Sequence, residues 1–179
     1  MTKKKISKIH IVGIYGSGKS TLAKKLSALL KIKTYDLDEI KYKRKYDIIR
    51  PVKERLKKVK EISNKSSWIT EGAWTSYAVE LYKKADLVIF LQIPKWTLYK
   101  RIFSRHFKRK FHNYKYQDNG IKSTYNIMKK VHQYYQDPEH FMTLDSHKDY
   151  LKKYAKEFLI IKNNKDIKEL IKKIKEMTS

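Results

Sequence analysis

The chain has 179 residues and a formal net charge of +25, with 43 Lys and Arg against 18 Asp and Glu. That length suits one domain with one core, and the absence of cysteine excludes disulfides, thiolate metal sites and a cysteine nucleophile while fitting a reducing cytoplasm. No apolar run approaches the ~20 residues of a membrane span, and the basic start meets Gly13 after a few apolar residues, so neither a signal peptide nor a membrane partner is expected.

In chain order, Ile6 to Val12 predicts a strand that ends at glycine, and Leu22, Leu26, Leu29 and Leu30 recur at helical spacing after Lys19. A second strand is predicted over Ile32 to Asp36. The charged stretch 38–62 carries Leu56, Val59 and Ile62 on one helix face, with Pro51 near its start. Trp68 to Thr70 reads as a strand closed by Glu71 and Gly72, followed by a helix over roughly 75–84. Asp86 to Ile93 is a continuous apolar strand of the kind buried on both faces. Pro94 opens a long helix, and residues 112–120 read as a mobile loop. Helices are predicted at 121–136 and 146–156, a last strand at Phe158 to Ile161, a turn at Asn163 and Asn164, and a terminal helix capped by Asp166. Alternating strands and helices imply an α/β domain built on a parallel sheet.

Gly13-Ile-Tyr-Gly-Ser-Gly-Lys-Ser20 fits G-x-x-x-x-G-K-[ST], between a strand and a helix as that motif requires. Glycines let successive N–H groups point inward at phosphate oxygens, and the helix N-terminus adds to the field. The expected nucleotide site is Gly13, Tyr15, Gly16, Ser17, Gly18, Lys19, Ser20 and Thr21. Lys19 would reach the β- and γ-phosphates, and Ser20 would bind Mg²⁺.

The additional glycine, giving G-x-x-G-x-G-K-S-T, resembles the small P-loop kinases of the adenylate, shikimate and gluconate kinase type. Within that group the sequence is most similar to the adenylate-kinase-related family labelled DNA topology modulation protein FlaR. The likeness runs through 9–30, 35–40, the pair Arg50-Pro51, 68–72 and 87–105, and it weakens beyond Arg109. It implies a single P-loop kinase domain over 1–179, a three-layer P-loop NTPase fold with a five-stranded parallel sheet in the order 2-3-1-4-5, helices on both faces and a helical lid. It also implies ATP and Mg²⁺ as cofactors, an acceptor-binding insertion at 38–65 and a lid-like loop at 106–124.

Asp36 and Asp38 follow the second strand, at the sheet edge where ligands of open α/β sheets bind. Resemblance to shikimate kinases implies that Asp36 assists Mg²⁺ through water and that Asp38 holds the acceptor hydroxyl; alternatively, Asp38 simply caps a helix. Glu71 matches the acid that bonds metal-bound water in adenylate kinases, and Gly72 the glycine that lets the acceptor approach. Where those enzymes continue with Phe-Pro-Arg, this chain has Ala73-Trp74-Thr75. An acceptor phosphate would therefore need another cation, with Arg50 or Arg44 the candidates.

Arg101, Arg105 and Arg109 stand at i, i+4 and i+8, and Phe103, Phe107 and Phe111 repeat that interval two residues later, about 200° around the helix. The phenylalanines are expected in the core and the arginines toward the mobile loop or an open cleft, where the resemblance gives Arg101 and Arg105 the charge of the transferring phosphoryl group. From Lys95 to Lys130 there are 11 Lys or Arg and one acid, Asp118, among interleaved aromatics. Such a segment suits a water-excluding lid, and it also suits a single-strand nucleic-acid binder with Tyr114 and Tyr116 free to stack. The six histidines form no metal-binding motif and read as surface or packing residues. Two readings follow: a kinase for a small-molecule phosphate acceptor, a nucleotide being favoured, or a nucleic-acid-associated ATPase.

Overall fold

The computed structural model describes residues 6–43, 48–73, 76–111, 121–137, 139 and 142–178. Five strands, β1 (Lys8–Val12), β2 (Thr34–Asp36), β3 (Trp68–Gly72), β4 (Leu87–Leu91) and β5 (Phe158–Ile161), pair in parallel in the order β2-β3-β1-β4-β5. That is the order the resemblance implied. β1 lies at the centre and is buried from Ile9 to Val12, its one buried polar residue being His10, and β4 is buried at every position, as a strand covered by helices on both sides must be.

Period-two alternation divides the core. Ile9, Ile11, Ile69 and Ile89 face α1 (Lys19–Leu30) and α8 (Asn164–Thr178), packing on Leu22, Leu26, Leu170 and Ile174. Val12, Trp68, Val88 and Phe90 face the other way, onto Leu37 and Ile40 of α2 (Leu37–Lys41), Val59 and Ile62 of α3 (Val52–Ser63), Leu81 and Tyr82 of α4 (Val79–Lys84) and Leu151 of α7 (Leu144–Tyr154). The long helices α5 (Lys95–Phe111) and α6 (Ile121–Gln136) join the first cluster through Leu98, Ile102, Val131 and Tyr134. Among the described residues, no helix is long and apolar enough to cross a membrane.

Two local expectations need correction. The terminal helix is capped by Asn163: its Oδ1 accepts from the N–H groups of Lys165 and Asp166, at 2.8 and 3.1 Å. Asp166 stands three residues in and reciprocates by accepting from Asn163 N–H at 3.2 Å, which is a capping box. The larger correction concerns α5. Phe103 and Phe107 are 54% and 44% exposed, whereas Leu98 and Ile102 are buried. The arginine side of the helix, next to Leu98 and Ile102, is the side that meets the body of the protein. Offsetting the two registers by 200° was sound, but hydrophobicity alone assigned the buried face wrongly. The loop 112–120, Arg44, Asp118 and the side chains of Arg109 and Phe111 lie outside the described residues.

Candidate active site

The loop after β1 turns through Gly16 (φ 77°) and Gly18 (φ 100°), left-handed values that a side chain would strain. Gly18 is also the N-cap of α1 and offers no capping side chain, and the first turn of α1 holds no acid. The terminal amides of α1 are thus left for an external anion. Buried Ser17 Oγ has no partner in the described structure. Lys19 Nζ donates to the Ile14 carbonyl at 3.2 Å. Burial lowers the Lys19 pKa, opposed by Glu71, Asp38 and Asp36, with Arg105 lowering it further. An ammonium desolvated in this way gains most from an added phosphate.

Register places the acids. Asp36 is the Cα partner of Glu71 across β2 and β3, and Gly72 is the partner of Val12 across β3 and β1, so the acids end beside the phosphate loop. Ser20 Oγ donates to Glu71 Oε1 at 2.6 Å. This bond uses the hydroxyl proton and leaves the oxygen's lone pairs to accept, and oxygen ligands of this kind suit a hard cation such as Mg²⁺. Asp36 Oδ1 accepts the Asp38 N–H at 2.7 Å, which makes Asp36 the N-cap of α2. Capping was the alternative weighed for Asp38, which instead lies inside the helix. Burial raises the Asp36 pKa to about 6; Glu71, Asp38 and Glu39 add to the rise, against the Asp38 N–H, which lowers it. Carboxylates that repel one another would be relieved by a divalent cation, although among the described residues no three acids or histidines gather closely enough to hold one by themselves.

Asp36→Asn tests this, because asparagine caps as well as aspartate but carries no charge. An acid whose folded pKa lies above its unfolded value destabilises the fold once ionised, so the penalty is absent below about pH 4 and complete above about pH 6. The variant is expected to gain roughly 1 kcal/mol at pH 7, after discounting for partial exposure, and nothing at pH 4. Urea unfolding at the two pH values reads the difference; an equal gain at both would assign the effect to something other than charge.

Arg101 and Arg105 part company. Arg101 Nη1 donates to the carbonyls of Ser17 at 2.9 Å and Gly16 at 3.4 Å, and Nη2 donates to Asn164 Oδ1 at 3.1 Å. It clamps the outside of the phosphate loop onto the start of α8. Arg105 is exposed and close enough to Lys19 to lower its pKa. Arg101→Ala is expected to raise the KM for nucleotide about tenfold, from loss of charge-assisted hydrogen bonds, with a smaller fall in kcat. Steady-state kinetics checks this, and a fall in kcat at unchanged KM would return Arg101 to the transition state.

Arg50 points its Nη1 at Glu54, 3.8 Å away, and its backbone N–H closes onto the Lys41 carbonyl at 2.8 Å. Sequence reasoning passed over another cation of this neighbourhood, Arg55 of α3. It lies 5.1 Å from the Tyr77 ring centroid. Asp38 and Arg55 both act on the ionisation of Lys41 and Tyr77, so these four groups share one neighbourhood. Lys130 of α6 adds to it, lowering the Lys41 pKa and lying 5.8 Å from the ring centroid of Tyr15 in the phosphate loop. Gly72 is filled from above by Leu37, whose Cβ stands 2.7 Å from where a Cβ on Gly72 would be. The Leu37 carbonyl accepts from Tyr77 O–H at 3.1 Å.

His147 was also passed over. Its Nε2 faces the Ala73 carbonyl at 2.9 Å, and its Nδ1 meets the Tyr134 hydroxyl at 2.8 Å. A carbonyl only accepts, so Nε2 carries the proton and Nδ1 accepts from Tyr134. Burial brings its pKa down to about 4, keeping the ring neutral. Through His147, α6 and α7 are tied to the backbone just after Glu71 and Gly72.

No protein-family model matches the chain. A curated relative, the uncharacterized protein YqaC of Bacillus subtilis (strain 168), is 35% identical over 102 residues, 56% of this chain and 57% of that protein. The matched stretch thus spans little more than half the length of the relative. Among solved structures, shikimate kinase from Acinetobacter baumannii, in complex with shikimate, aligns at a TM-score of 0.58 and 17% identity over 98% of this chain and 94% of that one. Shikimate kinase from Bacteroides thetaiotaomicron aligns at 0.59 and 14%, over 97% and 99%. The fold is that of the shikimate kinases. A protein from Eubacterium ventriosum described as uncharacterized shares it at 0.52 and 19%. At these identities the likeness is one of architecture.

Proposed function

We propose that the chain is an ATP-dependent phosphotransferase acting on a hydroxyl of a small anionic molecule. The observation that carries this reading is the convergence, at the carboxyl edge of β1, β2 and β3, of Lys19, the Ser20–Glu71 pair, Asp36 and Asp38. The amides of residues 16–21 and Lys19 would hold the donor phosphates, and Ser20, with Asp36 and Glu71 behind it, would hold Mg²⁺. Bound there, the cation would supply charge neutralisation for the donor phosphates. Asp38 would orient the acceptor hydroxyl and take its proton. Arg105 would stabilise charge that develops during transfer, while Arg101 keeps the phosphate loop in shape. Catalysis of this kind rests on positioning and electrostatics.

Arg55 and Lys41, beside Asp38, favour an acceptor with its own anionic group, a carboxylate or a phosphate, and a nucleotide remains within that class. In this reading 38–65 is the acceptor side and 106–124 the lid. The finer likeness to FlaR-like relatives of adenylate kinase rests on the sequence motifs alone. The test is an untargeted phosphotransfer screen by mass spectrometry, with Mg-ATP and a panel of anionic and neutral alcohols and nucleotides. Transfer to an anionic acceptor supports the reading; tight ATP binding with only slow hydrolysis across the panel would sink it.

A further inference from the structure

The outer face of α5 has no role in the site above. At 100° per residue, Trp96, Lys100, Phe103 and Phe107 fall within about 60° of arc. Trp96, Phe103 and Phe107 are 71%, 54% and 44% exposed, and Lys100 is exposed between them. Lys95 Nζ lies 5.7 Å from the Trp96 ring centroid. Three large rings in one stripe on a soluble surface mark an interaction site more often than chance packing. We propose that this stripe is a binding surface for single-stranded nucleic acid, separate from the phosphoryl-transfer site.

Charge selects the partner. Neither α5 (KWTLYKRIFSRHFKRKF) nor α6 (IKSTYNIMKKVHQYYQ) contains an acidic residue, and the chain as a whole carries +25. A second copy offering the same face would be repelled, whereas a polyanion is drawn in and releases counterions. The stripe is made of rings around a lysine, with no aliphatic side chain in it. Rings stack on bases whatever their sequence, and the cations follow the phosphates. An apolar helix face that enters lipid relies on a broader surface that includes aliphatic chains. A duplex hides its base faces within its own stack, so unpaired bases are the matching ligand. Arg101 and Arg105 project from the far side of α5, so a bound strand leaves them in place.

The test is fluorescence anisotropy of a labelled oligothymidylate with the full chain, titrated across salt up to about 0.15 M, a Debye length of about 8 Å. Trp96→Ala and Phe103→Ala are each expected to weaken binding about fivefold or more, the lower bound for losing one stacked base, with the salt dependence unchanged. Lys100→Gln is expected to lower the log–log salt slope by about 0.7, one phosphate contact on a single strand. These positions are exposed, so unchanged thermal unfolding shows the fold intact, and the readout does not require phosphotransfer activity. Three results would each overturn the proposal: aromatic variants that bind as the parent does, which means bulk charge only; a duplex bound as tightly as the single strand; or capture by phosphatidylserine vesicles without oligonucleotide binding.

Discussion

Lys19→Ala is expected to lower kcat by about 10²- to 10³-fold, the effect of removing one preorganised charge from a transferring group, without lowering stability. The second half follows from the state of Lys19 before any ligand arrives. Its ammonium is desolvated, donates to the Ile14 carbonyl, and has a depressed pKa. A cation of this kind costs the folded state free energy at neutral pH. Alanine removes that cost along with the catalysis, the usual direction of an activity–stability exchange. Coupled measurement of ADP release beside thermal unfolding checks both halves. Activity lost together with a large fall in Tm would instead mark Lys19 as a structural residue.

Gly72→Ala is the second large effect, and it works through a neighbour. The new Cβ would stand 2.7 Å from Leu37 Cβ and 2.9 Å from its Cδ1. Leu37 is fully buried, and its carbonyl is held by Tyr77. It cannot yield without moving Asp36 before it and Asp38 after it. Overpacking of this kind costs about 1–3 kcal/mol, and a displacement of about 1 Å in a catalytic group costs on the order of 10²-fold in rate. Urea unfolding and kcat are both expected to fall. Leu37→Gly placed in the same chain removes the Cβ, Cγ and Cδ1 that the new Cβ would meet, and a double-mutant cycle should return a favourable coupling. Additive losses would show that the two residues do not meet as described. The resemblance drawn from sequence gave Gly72 to the approach of the acceptor; its immediate neighbour is Leu37.

Legibility differed between the backbone and the side chains. Strand order could be read because glycines, Pro94 and the apolar runs mark most changes of period, though not the break between α2 and α3, and the phosphate loop stands out because Gly-Lys-Ser has few structural uses. The faces of α5 were misread because a period of 3.6 shows that two registers oppose each other without saying which one is buried. Leu98 and Ile102, fewer but nearer the sheet, decided it. Arg55 was hidden in a charged helix that looked solvated, and only the fold brings it beside Tyr77. His147 pairs with Tyr134, 13 residues away, and with Ala73, 74 residues away. No spacing rule announces such a bond. Asp36 was picked out for the metal, and its capping of α2 becomes visible only once the helix start is located at Leu37.

The Ser20–Glu71 hydrogen bond joins residues 51 positions apart, and β3, which carries Glu71, lies between β1 and β2, both earlier in the chain. During synthesis the phosphate loop and β2 leave the ribosome well before the strand that must part them. Half of the pocket therefore exists as sequence long before it can exist as a shape. A nucleotide bound by the finished arrangement would reward only molecules in which β3 has taken its place between β1 and β2, and by mass action it would shift the population toward them. The ligand would then act on the maturation of the protein as well as on its turnover.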